Sequence, residues 1–504
     1  MRTGPLVAAI AAIAAPAASA QAPVPTLWAE IGAEARATVA AETPAAALPF
    51  DPAKPVGTPG RAPIVAVHYF PPFPLSLDNG LAGRDYYARN YLRAAGEGGK
   101  FAAQRGFLRE RPLPVPPGAP THYDGRNLAI EVARASRIGI DAFGVDLLSI
   151  AGSQWPAATQ LLEAARAVDP RFRIFPEPDM AGLSKLSVRG MADALEPFAR
   201  HPSGLKLADG RLLVMPLAPN RMPPRYWQDL IAEMKRRGAP VAVVPDFIGF
   251  ENSDQHRSYA WGITIWGTRD TKAGDRARAT QIAVAKAGVP NWFAPVAPQD
   301  YRPKDGLINE ARNSEAYRNQ WMAAIDGRAA GVHLITWNDY SESSQIAPSS
   351  VSQFVWYDLT AYYTAWAKAG APPRIVRDAL YPVYRRQIVD LSAGSRGPAQ
   401  TVVGATPLSN DVEVVALLKA PGRLTITLGG RTVSRDVGAG LQTLRMPAAP
   451  GTPSFRLTRA GKTAAAITGP WPIEARPARH DATYVGGSSL RRRVDVPGYQ
   501  GDGN

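Results

Sequence analysis

The chain has 504 residues, enough for two or three domains and at least one large core. A content of 45% hydrophobic and 20% charged residues excludes a disordered chain, while 48 prolines and 45 glycines predict many loops. The lack of cysteine excludes a disulfide scaffold, a cysteine nucleophile and thiolate metal sites, and the formal charge of +14 raises an anionic partner: nucleic acid, a membrane surface or an acidic polymer.

At the N-terminus, Arg2 precedes an apolar, alanine-rich run at 6–15, then Pro16 and the small residues Ala18, Ser19 and Ala20. That order predicts a secretory signal cleaved after Ala20, too short to span a membrane, and a secreted or periplasmic protein. Residues 21–62 are rich in Ala and Pro, with one short helix expected at 27–41, and read as a linker or a packed arm. Export and the absence of a zinc-finger or ribonucleoprotein motif argue against a nucleic-acid partner.

From residue 64, short β-branched and aromatic runs alternate with helical patterns. Eight runs are predicted as strands: 64–70, 139–146, 172–177, 211–216, 240–245, 260–266, 291–297 and 331–337. Between them, Ala158, Leu161, Leu162, Ala165 and Val168 share one helical face, as do Tyr226, Trp227, Leu230, Ile231 and Met234. Eight β-α units predict an α/β fold, a (β/α)8 TIM barrel over 63–390, preferred to an open doubly wound sheet because no Gly-rich turn follows the first strand. A last helix is expected at 353–368. The period then changes, and strands at 411–418, 422–428 and 454–459 predict a small C-terminal β-sandwich domain over 395–470, followed by a nearly neutral tail at 471–504 with little hydrophobic pattern.

Barrel chemistry sits where strands end. The strand-end residues are His68, Tyr69, Asp141, Asp146, Glu177, Asp179, Asp246, Trp266, Trp337, Asn338, Asp339 and Glu342. Carboxylates beside indole and phenol rings suit glycosidic hydrolysis: one carboxyl protonates the leaving oxygen, another activates water or attacks, and flat rings stack on sugars. The same Asp and Asn residues also serve as helix caps. No cofactor is expected: GxSxG is absent, GEGGK at 96–100 lacks Walker spacing, and the six scattered histidines form no HExxH or HxH pair, so no metal site is expected either.

The segment LITWNDYSES at 334–343 resembles the signature of glycoside hydrolase family 71, the endo-1,3-alpha-glucanases or mutanases. GIDAF at 139–143, Asp179 with Met180, NWFAPVAP at 291–298 and Trp321 are similar to family features in the right order, and the strands after 410 resemble its accessory β-domain. The resemblance covers 64–468 and implies catalytic carboxylates at Asp339 and Glu342, Asp141 as a further functional acid, and anomeric inversion. Glu342 is then assigned as general acid and Asp339 as the base that activates water, with His68, Tyr69, Asp146, Glu177, Asp179, Trp266, Trp337, Asn338 and Tyr340 as substrate-binding residues. The chain departs from the family pattern at Ser341 and Ser344, where Gly and His are usual, and at Asp146, where Asn is usual. An insertion at 71–127 carrying Tyr86, Tyr87 and Tyr91 is expected either over the active face or as a packed surface loop.

The resulting expectation is an exported, inverting endo-glycosidase acting on alpha-1,3-glucan or a related polysaccharide. Its alternatives are an inactive envelope-polysaccharide-binding protein and an endo-acting alpha-mannanase-like enzyme. Between 395 and 470, nine bases (Arg396, Lys419, Arg423, Arg431, Arg435, Arg445, Arg456, Arg459 and Lys462) face Asp411, Glu413 and Asp436. That local excess predicts retention on anionic envelope polymers through the C-terminal domain.

Overall fold

The computed structural model describes residues 24–56, 63–71, 95–100, 102, 106, 108–115, 123–152, 154–249, 253–267, 269–286, 288–392, 399–475 and 480–496. The expected signal at 1–20, Tyr86, Tyr87 and Tyr91 of the insertion, and Arg396 lie outside the described residues.

All eight barrel runs become strands. They are β1 (Ile64–Tyr69), β2 (Ala142–Leu147), β3 (Arg173–Pro178), β4 (Leu212–Val214), the pair β5 (Val241–Val243) and β6 (Asp246–Phe247), β7 (Gly262–Ile265), β8 (Asn291–Val296) and, after a short hairpin of β9 (Asp300–Arg302) and β10 (Leu307–Asn309), β11 (Gly331–Leu334). Seven of these form one curled parallel sheet in the order β3-β2-β1-β11-β8-β7-β6, a TIM-like core. Main-chain bonds from Met215 and Leu217 to Pro176 and Pro178, and from Asp246 to Pro216, set the run that begins with β4 between β3 and β6.

The strands carry apolar residues on both faces because both are covered. Val65, Val67, Phe143, Val145, Ile174 and Val243 pack outward into the main core, while Ile64, Ala66, Ala142, Phe175, Leu213, Met215, Val244 and Phe293 pack against one another inside the curl. Helices alternate with the strands: α1 (Thr26–Glu42), α2 (Tyr123–Arg137), α3 (Gln154–Val168), α4 (Met180–Leu183), α5 (Val188–Arg200), α6 (Pro224–Arg236), α7 (Ser253–His256), α8 (Ala273–Lys286), α9 (Glu315–Asp326) and α10 (Val355–Ala369). The expected face of α3 is buried at all five positions, as are Tyr226, Trp227, Leu230 and Met234 of α6.

The N-terminal segment is a packed arm. Ile31, Ala35 and Val39 of α1 are buried, and Arg126 and the fully buried Arg134 of α2 pair with Glu34 and Glu42. The tail is packed as well: Arg491 forks onto the buried Asp358 of α10 at 3.0 and 2.6 Å and donates to the Glu42 carbonyl and the Thr43 hydroxyl.

Beyond α10 the strands are β12 (Ala379–Arg385), β13 (Thr401–Val403), β14 (Asp411–Leu418), β15 (Gly422–Leu428), β16 (Arg431–Val437), β17 (Gly440–Pro447), β18 (Ser454–Arg459), β19 (Lys462–Thr468) and β20 (Tyr484–Gly486). Apart from β13, which pairs with β10, they form two antiparallel four-stranded sheets, β17-β14-β12-β20 and β16-β15-β18-β19, so one sheet draws strands from outside the expected 395–470 window. Val412, Val414 and Ala416 of β14 share a core with Leu424, Ile426, Phe455 and Leu457 of the second sheet, whereas Val415 and Leu417 join the core of the TIM-like unit. Buried on both faces, β14 reads as one hydrophobic run; β15, open to solvent on one face, alternates.

The basic excess is smaller in space than in sequence. Arg445 pairs with Glu315 and Glu413, Arg459 with Asp378, and Arg423 with Asp436, and two of these acids lie outside the C-terminal window.

Candidate active site

Side chains alternate along a strand, so the residues that continue the inner apolar layer toward the strand C-termini face the same lumen. Two positions beyond Ala66 stands His68, and two beyond Phe175 stands Glu177. Asp246 lies two beyond Val244, Trp266 two beyond the buried Thr264, and Asp146 four beyond Ala142. Gly144 occupies the intervening place on β2, where a Cβ would collide with the Glu177 carboxylate and the Phe175 ring.

These groups form a chain of alternating acids and imidazoles across the lumen. His68 Nδ1 is 2.5 Å from Glu177 Oε2, and His333 Nε2 is 3.1 Å from Glu177 Oε1. At the ends, His68 Nε2 lies 3.8 Å from Asp146 Oδ2 and His333 Nδ1 3.5 Å from Asp246 Oδ2. Burial opposes the Glu177 charge, but attraction and hydrogen bonds from the two imidazoles outweigh it and hold the carboxyl at about 2. The outer acids go the other way. Burial, with Asp179, Glu177 and Asp339 nearby, raises Asp146 well above its usual range, and burial pushes Asp246 up to about 7 despite His333.

The donor atoms of His68, Glu177 and His333 lie within 4.8 Å of one another and are disposed to hold a divalent cation. The expectation of no metal-ligand group rested on spacing within one segment, and three different strands bring this one together. Here each Glu177 oxygen already faces one imidazole nitrogen, the arrangement of a hydrogen-bonded chain.

Above the chain sits the loop that follows β11. Asp339 Oδ1 accepts from the Ser341 amide at 2.9 Å and the Ser341 hydroxyl at 2.6 Å, so the serine that replaces the usual glycine orients this carboxylate. Ser344 Oγ meets Thr336 Oγ1 at 3.2 Å across the same loop. Glu342 lies 2.9 Å from Arg302 Nη1 and 3.8 Å from Arg269 Nη2. Burial, then Asp339 and Asp300, push its carboxyl up to about 8 against the pull of the two arginines. Trp266 meets His68 edge-on at 4.8 Å, and the Arg269 guanidinium lies 5.4 Å from its ring centre. Asp179 caps α4 through the Ala181 amide at 2.7 Å and adds its charge beside Asp146.

The structure therefore brings together His68, Asp146, Glu177, Asp179, Trp266, Asp339 and Glu342. Five other expected residues are elsewhere. Asp141 precedes β2 at its opposite end, bound to the Val65 amide at 2.8 Å and to Lys368 Nζ at 2.6 Å. Tyr69 is one residue out of phase with His68 and packs on Phe143 in the outer core. Trp337 is fully buried against Phe143 and donates its indole N–H to Glu131 of α2, and Tyr340 is likewise fully buried. Asn338 binds Phe70, its Oδ1 accepting from the amide at 2.7 Å and its Nδ2 donating to the carbonyl at 3.0 Å, and so ties the loop to the end of β1. His333, Arg269, Arg302 and Asp300 were not expected at the site, and Asp246 was expected only as a strand-end acid. For His333 and Asp246 the available signal was phase along the strand; Asp300 and Arg302 bound the short β9, and Arg269 sits on the loop after β7.

The model of the family described as glycosyl hydrolase family 71 matches residues 118–480. The chain is 23% identical over 395 residues to glucan endo-1,3-alpha-glucosidase agn1 of Schizosaccharomyces pombe, covering 72% of this chain and 91% of that one. It is 25% identical over 368 residues to a mutanase of Penicillium rubens, covering 66% and 78% respectively. Among solved structures, the GH99 endo-alpha-mannosidase of Bacteroides thetaiotaomicron aligns over 61% of this chain and 98% of its own, at 13% identity and a TM-score of 0.47. The chain belongs to glycosyl hydrolase family 71 and is a glycoside hydrolase.

Proposed function

We propose that the protein is an exported, inverting endo-glycosidase that cuts alpha-1,3-linked glucan, with Glu342 as general acid and Asp339 as general base. The observation that carries the assignment is the contrast between the two carboxyls. Glu342, buried beside two other acids, keeps a proton into the neutral range, while Asp339 is a hydrogen-bond acceptor oriented by Ser341. Glu342 gives its proton to the glycosidic oxygen as the C1–O bond breaks. Water attacks C1 from the opposite face, transfers a proton to Asp339, and leaves a hemiacetal of inverted configuration. The half-buried Trp266 supplies a ring for sugar stacking, and His68, Asp146, Glu177 and Asp179 supply the polar floor. The alpha-1,3-glucan substrate follows the names of the two fungal relatives.

Asp339→Asn and Glu342→Gln are each expected to lower kcat on insoluble alpha-1,3-glucan by at least ~100-fold. Near-normal release of reducing ends by either variant removes that residue from the mechanism. NMR of the first product anomer tests inversion, and a retained configuration contradicts it.

We read the architecture as a closed (β/α)8 barrel with β4 as its fourth strand, followed by a β-sandwich that takes in β12 and β20. Export through cleavage after Ala20 belongs to the same proposal. Arg431, Arg435, Arg456 and Lys462 are exposed on the second sheet and its turns, and we assign them retention on anionic envelope polymers. Elution from such a polymer should then fall steeply in salt concentration, and binding insensitive to salt disproves the assignment.

A further inference from the structure

The two guanidiniums beside Glu342 come from separate segments, the β9–β10 hairpin and the loop after β7, and one short stretch of chain holds both segments. Arg302 ends β9 and forks onto Asp300 at 2.8 and 3.0 Å, and Asp300 also accepts from Asn309 Nδ2 of β10 at 3.0 Å. The free edge of that hairpin is paired by β13, with Leu307, Ile308 and Asn309 opposite Thr401, Val402 and Val403. Immediately afterwards the chain reaches the loop of Arg269. The Ala405 amide donates to Asp270 Oδ2 at 2.8 Å, and Thr406 Oγ1 accepts from the Thr271 amide at 3.0 Å and lies 2.8 Å from Thr271 Oγ1. Between them Gly404 has φ +87°, and a Cβ there would stand 2.6 Å from Asp270 Oδ2. Residues 401–406 lie on the connection into the C-terminal sheets and reach toward Glu342 through this hairpin and this loop.

We propose that residues 401–406 act as a positioning brace for the reaction, fixing Arg302 and Arg269 against Glu342 so that the C-terminal unit takes part in setting the acid's strength. The proposal rests on the reading of Glu342 as general acid. The charged groups facing that carboxyl are Asp339 from the loop after β11, Asp300 and Arg302 from the β9–β10 hairpin, and Arg269 from the loop after β7. Attraction between charges falls inversely with distance and is weakly screened in a buried site, so a small retreat of either arginine changes the balance. The sign follows directly. Both arginines favour ionised Glu342, so loosening the brace lets the proton be held to higher pH and makes it harder to give up.

The test is the pH dependence of kcat/KM on alpha-1,3-glucan for Thr406→Val, Gly404→Ala and Thr406→Ser in the full chain. Thr406→Val, which removes the hydroxyl and keeps the shape, is expected to lower kcat several-fold with KM little changed and to move the basic limb upward by up to about 1 pH unit. Gly404→Ala is expected to do the same by displacing Asp270, and Thr406→Ser to restore the native profile. A folded Thr406→Val enzyme with the native limb and native kcat overturns the brace, and that variant decides the matter if Gly404→Ala does not fold. Glu342→Gln separates the two readings. If it keeps activity and the basic limb, the acid is another residue; if it is inactive while Thr406→Val is native in both respects, the acid stands and the brace alone is wrong.

Discussion

Glu342 and Glu177 lie in one buried site and are driven in opposite directions. Glu177 has an imidazole on each oxygen and is held at about 2, while Glu342 has two acids and two arginines around it and is pushed up to about 8. The proposed role of general acid requires a protonated Glu342, so kcat/KM should fall above about pH 8, and a basic limb near 5 would remove the residue from that role. The same shift has a sign for stability. A carboxyl raised from 4.5 to about 8 stabilises the fold fully below 4.5 and loses that contribution as pH rises through 8. The melting temperature of the native protein should therefore drop, relative to Glu342→Gln, between pH 5 and pH 9. At this scale the sequence was partly legible. His68, Asp146, Glu177, Tyr69 and Trp337 were all picked because they lie where strands end, but a shift of one residue along an extended chain turns a side chain from the lumen into the helix layer, as at Tyr69 and Trp337.

A strand has two ends, and only one faces the chemistry. Asp141 belongs to a run expected at 139–146, but the strand opens at Ala142, which leaves Asp141 at the N-terminal end holding the Val65 amide and Lys368. Removing one member of a buried ion pair strands the other, so Asp141→Ala is expected to cost about 3 kcal/mol of stability. kcat of the folded fraction should stay native, and a catalytic defect in a variant of native stability would return Asp141 to the site. Elements with strong alternation or dense β-branching, such as β14, β15 and β18, were readable to their ends. By contrast β12 was not: Pro382 interrupts it, and proline in a central strand argues against that assignment until the partner strands are known.

Across the whole molecule the two units are joined by buried polar bonds rather than by a hinge. Glu413 of β14 is fully buried and accepts from the Ser314 amide at 2.8 Å and hydroxyl at 2.6 Å, and both Arg318 and Arg445 reach it. Asn313 donates to the Val383 and Asp411 carbonyls at 2.7 and 2.9 Å. Separating the units would leave these groups without protein partners, at about 1–3 kcal/mol for each one that stays buried. Calorimetry is therefore expected to show one cooperative unfolding transition for the full chain, and two resolved transitions would refute this coupling. The net charge was legible in the sequence, but its distribution was not, because Glu315 and Asp378 neutralise Arg445 and Arg459 from distant segments.

Arg491 and Glu42 meet although they are 449 positions apart. Asp358 in the first turn of α10 takes the same guanidinium, so a chain that folds before residue 491 is made holds a buried carboxylate whose countercharge is missing. Leaving such a charge uncompensated costs about 3 kcal/mol or more. The order of synthesis therefore opposes completion of this contact until residue 491 emerges, and loop closure over so long a span is slow even then. Residues beyond 491 add to this closure, since Gln353 exchanges hydrogen bonds with the Val494 backbone at 3.1 and 2.9 Å. A truncation that removes Arg491 loses these bonds together with the contact that ties the end of α1 to α10.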